Sequence, residues 1–303
     1  MNDNAQKRAG MIAIVGRANV GKSTLINRIL DEKISIVSPI AQTTRNLIRG
    51  VLTEPRGQLV FLDTPGVHKA SYDLGRLMNG IARTSIEGVD IVLLVFDVSE
   101  PPQIEDDGWI RRLLFEETAC VAVLNKTERG PGKSAEYRKL WDDLAKEKGV
   151  SKTPTWMSIS GATGQGVNAL VDLLFQVVPE GPQLFPEDVL TDFPRKLAMA
   201  DIVREKYFAV LRDELPHALA VEIEEIHERE ADWDIQGIVY VQKSSQKGIV
   251  LGNKGRLLRK VQAEAEKEIG EIYGHRVSLD LWVKVQKDWS RNFWFLKRLG
   301  YAG

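Results

Sequence analysis

Several features are scarce in this chain of 303 residues, and each scarcity excludes a class of protein. A single cysteine, Cys120, cannot form an internal disulfide, which favours a reducing compartment. No apolar run is long enough to cross a bilayer, and residues 1–9 lack the apolar core of a signal peptide. With 43% hydrophobic and 27% charged residues, the composition excludes disordered and fibrous chains. We therefore expect a globular, cytoplasmic protein.

The net charge of −1 hides an asymmetry between two parts of the chain. Residues 243–303 contain 13 Lys and Arg against 6 Asp and Glu, whereas the rest carries 28 and 36. A basic C-terminal part on an acidic body is typical of a polyanion-binding face. A merely solvated basic surface explains the charge alone equally well.

Short apolar runs alternate with helix-length segments in the first half, at 11–15, 59–62, 91–96, 120–124 and 156–159. Nearly continuous apolar runs are typical of strands covered on both faces. This pattern predicts a doubly wound α/β domain with a mostly parallel sheet, whose ligands bind at the carboxyl ends of the strands.

The pattern changes after residue 178. Residues 179–186 contain three prolines and a glycine, which indicates a linker. Beyond it the order is a helix (195–213), two strands (218–226, 235–241), a glycine turn, a helix and a strand (277–285), which predicts a smaller α+β domain. The expected organisation is a flexible N-terminus (1–9), an α/β domain (10–178), a linker (179–192) and a second domain with a C-terminal tail (193–303).

A phosphate-binding loop follows the first predicted strand. Residues 16–23 read GRANVGKS, matching GxxxxGKS between a strand and a helix. Main-chain amides would wrap a polyphosphate, Lys22 would neutralise its charge, and the Ser23 hydroxyl would ligate Mg²⁺. The predicted loop contacts are Gly16, Arg17, Ala18, Asn19, Val20, Gly21, Lys22, Ser23 and Thr24.

Three further motifs stand at strand ends. Asp63, Thr64, Pro65 and Gly66 follow the run 59–62, where a carboxylate can hold Mg²⁺ and a glycine N–H can bind a γ-phosphate. Residues 125–128 follow the run 120–124, and Ser160 and Gly161 follow the run 156–159. A carboxylate after Asn-Lys can accept from two guanine donors that adenine lacks. The remaining predicted contacts are Val67, Asn125, Lys126, Thr127, Glu128, Ile159, Ser160 and Gly161.

Taken together, these motifs resemble those of small GTP-binding proteins of the translation-factor-related class. The resemblance implies GTP and GDP as ligands with Mg²⁺, held by Ser23, Asp63 and a switch threonine, Thr44, with Thr43 as the fallback. It assigns the catalytic machinery to Asn19, Lys22, Ser23, Thr44, Asp63 and Gly66.

Three residues depart from the family pattern. Glu128 stands where aspartate is typical, so its carboxylate lies one methylene further out and guanine selectivity is expected to weaken. Ala18 replaces a frequent proline, and Gly161 replaces a usual alanine. We expect GTP to remain preferred over ATP by a reduced margin.

Val67 stands where many GTPases have a glutamine that orients the attacking water. Valine cannot hydrogen-bond water, so hydrolysis should be slow or use another group. In relatives with an asparagine in the phosphate loop, as Asn19 is here, K⁺ can supply positive charge, which predicts stimulation by K⁺. Alternatively, Asn19 only caps the loop.

A GxxG turn lies in the basic C-terminal part. It is flanked by cations, and in KH domains such a turn lets an RNA backbone approach closely. The surrounding order of elements resembles a type II KH domain. The predicted RNA contacts are Lys247, Gly252, Asn253, Lys254, Gly255, Arg256 and Arg259.

Residues 289–298 interleave aromatic and basic side chains. Base stacking and membrane-surface contact are open interpretations, but packing onto the second domain is favoured because aromatics at helical spacing usually belong to a core.

With the GxxG turn and the elements around it, the chain resembles the Era family of bacterial ribosome-assembly GTPases. This resemblance implies a GTP-hydrolysing switch that binds the 3′ region of 16S ribosomal RNA and assists assembly of the 30S subunit. We expect a monomer that binds no DNA, with peripheral inner-membrane association left open. The alternatives are a non-catalytic RNA-binding adaptor that uses guanine nucleotide as an allosteric ligand and, disfavoured by Asn125 and Lys126, a P-loop kinase or ATPase.

Overall fold

The computed structural model describes residues 7–38, 40, 43–67, 73–130 and 132–301. The chain divides into two compact units. The first comprises residues 1–35, 44–69 and 78–192, and the second comprises 36–43, 70–77 and 193–303. Among the described residues, no helix combines the length and apolar character needed to cross a bilayer.

The first unit contains a six-stranded sheet in the order β2-β3-β1-β4-β5-β6. Its strands are β1 (Arg8–Val15), β2 (Ile48–Glu54), β3 (Gly57–Asp63), β4 (Ile91–Asp97), β5 (Ala119–Asn125) and β6 (Thr155–Ser158). All neighbours are parallel except β2, which is antiparallel to β3. The predicted mostly parallel α/β fold is confirmed, although the antiparallel β2 was not anticipated.

The helices of this region of the chain are α1 (Lys22–Leu30), α2 (Asp73–Thr84), α3 (Ile104–Leu113), α4 (Ser134–Lys148) and α5 (Val167–Val177). Alternate residues of the central strands enter two separate apolar cores. For example, Ile12 and Ile14 of β1 pack with side chains of α1 and α5, whereas Ala13 and Val15 pack with those of α3 and α4. This double coverage explains the continuous apolar runs.

Two predicted boundaries need correction. Arg8 and Ala9, expected in a flexible N-terminus, pair with Gly57 and Gln58 as part of β1; residues 1–6 lie outside the described part. The expected linker 179–192 packs on the first unit, where the Gln58 side-chain oxygen accepts from the N–H groups of Leu184 and Phe185. Its prolines therefore shape an ordered connection.

The second unit has a three-stranded sheet, β7-β8-β9, with β7 and β8 antiparallel and β8 and β9 parallel. Its elements are α6 (Arg195–Val210), β7 (Ala220–Glu228), β8 (Asp232–Val241), α7 (Ser244–Leu251), α8 (Arg256–Tyr273), β9 (Arg276–Val285) and α9 (Phe293–Arg298). The predicted α+β type II KH architecture is confirmed. Helix α7, which immediately precedes the GxxG turn, was missed because Gly248 interrupts its pattern.

Cys120 lies in β5 and is buried. Burial raises the pKa of its thiol to about 12, against a smaller opposing effect of the Lys152 charge. The single cysteine is therefore a structural core residue.

Candidate functional site: a nucleotide edge and a glycine turn

The phosphate loop leaves β1 and enters α1 with three residues in the left-handed region, Gly16 (φ 147°), Asn19 (φ 64°) and Gly21 (φ 100°). Position 21 requires glycine, because a Cβ there would lie 2.4 Å from the Asn125 amide nitrogen. The loop therefore packs directly against the end of β5.

Lys22 is held inside this loop. Its ammonium donates to the carbonyls of Gly16 (3.1 Å) and Arg17 (2.9 Å) and is almost fully buried. Burial lowers its pKa to about 8, with the Asp63 charge opposing and Arg17 adding to the shift. A bound polyphosphate would raise this pKa again, since an anion within contact distance stabilises an ammonium.

Ser23, Thr44 and Asp63 converge beside Lys22. The Ser23 hydroxyl donates to Asp63 Oδ2 (2.8 Å) and lies 2.9 Å from Thr44 Oγ1. Ser35, which sequence reasoning missed, donates to the same carboxylate oxygen at 2.7 Å. Thr43, the fallback, lies elsewhere: its hydroxyl donates to Ile40 and its carbonyl accepts from Arg204.

The donor set of this cluster fits Mg²⁺. Hard oxygen ligands from one carboxylate and hydroxyls are what this ion prefers. Asp63 Oδ1 is buried and has no hydrogen-bond partner in the described structure. Burial raises the pKa of Asp63, opposed by Lys22, Ser35 and Ser23. A divalent cation would satisfy that oxygen and favour the ionised carboxylate.

The residues after Asp63 return to the phosphate loop. The Thr64 hydroxyl donates to the Ile14 carbonyl, and Val67 forms an isolated parallel bridge with Arg17. A Cβ at Gly66 would lie 2.6 Å from the Ala18 Cα. Glycine is therefore required for this close approach, which positions the Gly66 N–H near the loop. Pro65 is buried between these residues.

The two remaining loops meet through Asn125. Its amide donates to the Val20 carbonyl (2.8 Å), and its oxygen accepts from the Gly161 N–H (2.9 Å). Because Asn125 is only 2% exposed, this side chain links three loops from inside the protein. The Thr127 N–H and hydroxyl both donate to the Ile159 carbonyl, closing the same edge.

Lys126 adopts a left-handed conformation (φ 67°), and its ammonium donates to the Asn19 carbonyl and to Asp97, both at 2.6 Å. Asp97, not anticipated, ends β4. Its burial raises its pKa, but the bonds from Lys126 and Ser99 prevail, leaving the pKa below its usual value. The rule that ligand-binding residues follow strand ends could have found Asp97.

Glu128 is an exposed residue in a single 3-10 turn (Thr127–Arg129), with a carboxylate oxygen 3.9 Å from the Arg129 guanidinium. Ser160 is buried; its hydroxyl accepts from the Thr163 N–H. The structure thus brings together all the loops proposed for the nucleotide. Thr24 lies in the first turn of α1, beyond the loop itself.

Arg17 connects the phosphate loop to the residues at the start of α3. Its guanidinium lies 3.0 Å from Glu100 and 3.3 Å from the fully buried Asp106 at the start of α3. Burial raises the pKa of Asp106 to about 6, partly offset by the Gln103 N–H and the Arg17 charge. This ion pair ties the phosphate loop to α3, and no sequence signal pointed to it.

The GxxG turn joins α7 to α8 with three left-handed residues, Gly252 (φ 70°), Lys254 (φ 51°) and Gly255 (φ 75°). A Cβ at Gly252 would lie 2.7 Å from the Leu257 Cβ, so only glycine fits. The polar residues of the turn and its flanks are exposed: Lys247, Asn253, Lys254, Arg256 and Arg259. Arg259 also donates to the Lys254 carbonyl at 2.9 Å, which holds the turn.

The aromatic tail packs partly on its own domain. Trp289 and Leu296 are fully buried, and the Trp289 ring N–H donates to the Ala218 carbonyl at 2.9 Å. Phe293 and Trp294, in contrast, are 52% and 75% exposed. The favoured packing interpretation therefore describes only some of the tail.

Comparisons with known proteins agree with this geometry. Residues 11–126 match a family model described as a 50S ribosome-binding GTPase, and residues 214–290 match a KH domain model. The chain is 41% identical over 307 residues to GTPase Era of Geobacter metallireducens, covering 100% of both chains. It is 40% identical over 298 residues to GTPase Era of Thermoanaerobacter sp. strain X514, covering 97% of each.

Two solved structures are also similar over nearly the whole chain. One is Era in complex with MgGDPNP and nucleotides 1506–1542 of 16S ribosomal RNA (TM-score 0.90, 35% identity, covering 98% of this chain and 100% of that one). The other is a variant of Aquifex aeolicus Era bound to GDP·AlF₄⁻ (TM-score 0.89, 36% identity, covering 98% and 100%). With identity of this order over almost its full length, and with both site types in place, the chain belongs to the GTPase Era family.

Proposed function

We propose that this chain is a GTP-hydrolysing switch that binds the 3′ region of 16S ribosomal RNA through its C-terminal unit and assists assembly of the 30S subunit. The observation that carries the proposal is the convergence of Ser23, Thr44 and Asp63 beside Lys22. This cluster stands in a chain that resembles Era over 98% of its length. We propose a cytoplasmic location for the protein, with peripheral membrane association as a subsidiary proposal.

The nucleotide would be held mainly by this chain's backbone. Main-chain N–H groups of the phosphate loop would contact the phosphates, Lys22 would neutralise their charge, and the Gly66 N–H would bind the γ-phosphate. Mg²⁺, when held by Ser23, Thr44 and Asp63, supplies charge neutralisation on the phosphates. Thr44 links the presence of the γ-phosphate to the conformation of its segment.

Guanine selectivity is proposed to rest on Asn125 and Glu128. The longer Glu128 side chain lies near Arg129, so part of its charge is directed away from a base. We expect Glu128→Asp to raise the ratio of GTP to ATP affinity, measured by competition with a fluorescent GDP analogue. Equal affinity of the wild type for GTP and ATP would refute the guanine assignment.

Water activation is the weakest part of the site. Val67 packs against the apolar core and cannot orient a water molecule. We propose that K⁺, bound with the help of Asn19, supplies the missing charge. Turnover should be faster in K⁺ than in Na⁺, and Asn19→Ala should abolish the difference. Retention of the difference in that variant would assign Asn19 to loop capping alone.

The nature of Val67 also supports the second candidate, a non-catalytic adaptor. Single-turnover hydrolysis of radiolabelled GTP, with and without K⁺ and RNA, separates the two. Release of phosphate under any of these conditions supports the switch. Saturable GTP binding without hydrolysis supports the adaptor. Absence of saturable GTP binding in the presence of Mg²⁺ would refute both the switch and the adaptor.

A further inference from the structure

Two neighbouring aromatic rings stand exposed at the start of α9. Phe293 is 52% exposed and Trp294 is 75% exposed, and their ring centroids lie 5.7 Å apart with the planes at 73°. Folding usually buries rings of this size, because each carries a large apolar area. An exposed adjacent pair therefore indicates a contact surface.

The segment that carries these rings is held firmly. The Asn292 side chain accepts from the Phe295 N–H at 3.1 Å and caps the helix. Leu296 is fully buried, the Phe295 ring contacts Tyr240 edge-on at 5.0 Å, and Arg298 binds Glu222. Because the backbone that carries the two rings is already ordered, a ligand that stacks on them loses less affinity to ordering than it would on a disordered segment.

The chain just before the two rings contacts the segment that leads to the GxxG turn. The Gln242 side-chain amide donates to the Ser290 hydroxyl at 3.1 Å, three residues before Phe293. Helix α7 begins two residues after Gln242 and ends at the turn. Its eight residues span about 12 Å, the length of roughly three or four stacked nucleotides.

Basic residues follow the same path. Lys243 and Lys247 are exposed along α7, and Lys297 is exposed beside the rings. Residues 284–298 contain five Lys and Arg and one acidic residue, Asp288. The charge is complementary to a phosphate backbone, and the rings are complementary to unpaired bases.

We propose that Phe293 and Trp294 form a stacking platform for unpaired bases of an RNA strand that is also bound at the GxxG turn. The platform extends the RNA interface of the proposed function, on which this inference rests, along α7. RNA fits better than a membrane surface because the Leu296 side of this six-residue helix is already buried, leaving only two rings to insert.

The test uses the full-length protein and labelled single-stranded RNAs with the sequence of the 3′ end of 16S rRNA. A core RNA of about five nucleotides covers the turn, since a GxxG loop clamps about four. Two longer RNAs extend this core by about seven nucleotides at its 5′ or its 3′ end. Fluorescence anisotropy at one fixed salt concentration compares wild type with Phe293→Ala/Trp294→Ala.

We expect the double variant to bind the short RNA normally and to lose about tenfold or more in affinity for one extended RNA. Abasic nucleotides in that extension should remove the difference. The conservative Phe293→Tyr/Trp294→Phe variant should restore binding. Phe115→Ala, which removes a ring that is 65% exposed in the first unit, should change nothing.

Equal affinities of the wild type and the double variant for both extended RNAs would overturn the platform. The platform would also be overturned if the double variant no longer floated with phosphatidylglycerol vesicles, as the wild type did, while its RNA binding stayed intact. That result would assign the rings to a membrane surface. If the short RNA binds but neither extension improves binding, only the platform fails. If the wild type binds no RNA, the RNA-binding part of the proposed function fails with it.

Discussion

The nucleotide edge consists of the loops that follow β1, β3, β5 and β6. It and the GxxG turn are suited to their proposed ligands in opposite ways. At the nucleotide edge the polar side chains are buried and already bonded to one another, as Asn125 is to Val20 and Gly161. At the turn the backbone is fixed by left-handed residues while the cations Lys254 and Arg256 are exposed. A buried site selects one ligand, whereas an exposed basic turn accepts a polyanion by charge. Mutations should therefore have unequal effects at the two sites.

The largest effect is expected at Asn125. Asn125→Ala removes two buried hydrogen bonds and leaves the Val20 carbonyl and the Gly161 N–H without this partner. We expect GTP affinity to fall by more than about 100-fold and the free energy of unfolding to drop by about 2–4 kcal/mol. Nucleotide titration and urea unfolding measure the two losses. The control is Asn168→Ala, at an exposed position on α5; a similar loss there would show a general effect.

The second prediction concerns Asp106, beside the phosphate loop, which should make the free energy of unfolding depend on pH. Burial raises its pKa to about 6 in the folded protein from an ordinary value of 3.8. The native state thus binds a proton between pH 6 and 4 that the unfolded chain does not bind, and stability from this group rises as pH falls. Asp106→Asn lacks this gain.

On going from pH 7 to pH 4, the wild type should therefore gain up to about 3 kcal/mol of unfolding free energy relative to Asp106→Asn. Urea unfolding at several pH values measures it, and Asp142→Asn, at an exposed position on α4, is the control. A pH-independent difference, or a shift in the opposite direction, would contradict the assignment.

A smaller effect is expected at the turn. Arg256→Ala should weaken RNA binding a few-fold, lower the slope of log affinity against log salt by about 1, and leave stability within about 0.5 kcal/mol. The exposed Lys267, on the same helix, provides the control variant Lys267→Ala. An unchanged salt slope for Arg256→Ala would remove this residue from the interface.

The smallest effect is expected at Gly161. An added Cβ would make ordinary contacts at 3.5 Å with Asn125 Oδ1 and Leu25 Cα. Gly161→Ala should keep GTP affinity within about twofold and stabilise the fold by at most ~1 kcal/mol, through the unfolded chain. Gly21→Ala is the contrast, since its Cβ would clash with Asn125. If Gly161→Ala and Gly21→Ala lost GTP affinity and stability to the same extent, the Cβ distances would not determine which glycine is required.

Sequence patterns predicted what depends on local spacing. The strands that carry Asp63 and Asn125 were visible as buried runs, and the GxxG turn as glycines among cations. Contacts between distant segments were predictable where each segment carries a recognisable motif, as with Ser23 and Asp63, and not elsewhere. Ser35 contacts Asp63, and Arg17 contacts Asp106, only because the folded chain brings these segments together. Helix α7 was missed because its central glycine and short length weaken any periodic signal.

The burial of Cys120 has a practical consequence. A thiol whose pKa lies near 12 is almost entirely protonated at neutral pH, and alkylating reagents attack thiolates. A cysteine introduced at an exposed position, such as 254, would then be the only residue to take a maleimide dye. Fluorescent reporters could be attached without first removing the native sulfur and disturbing the strand that ends in Asn125.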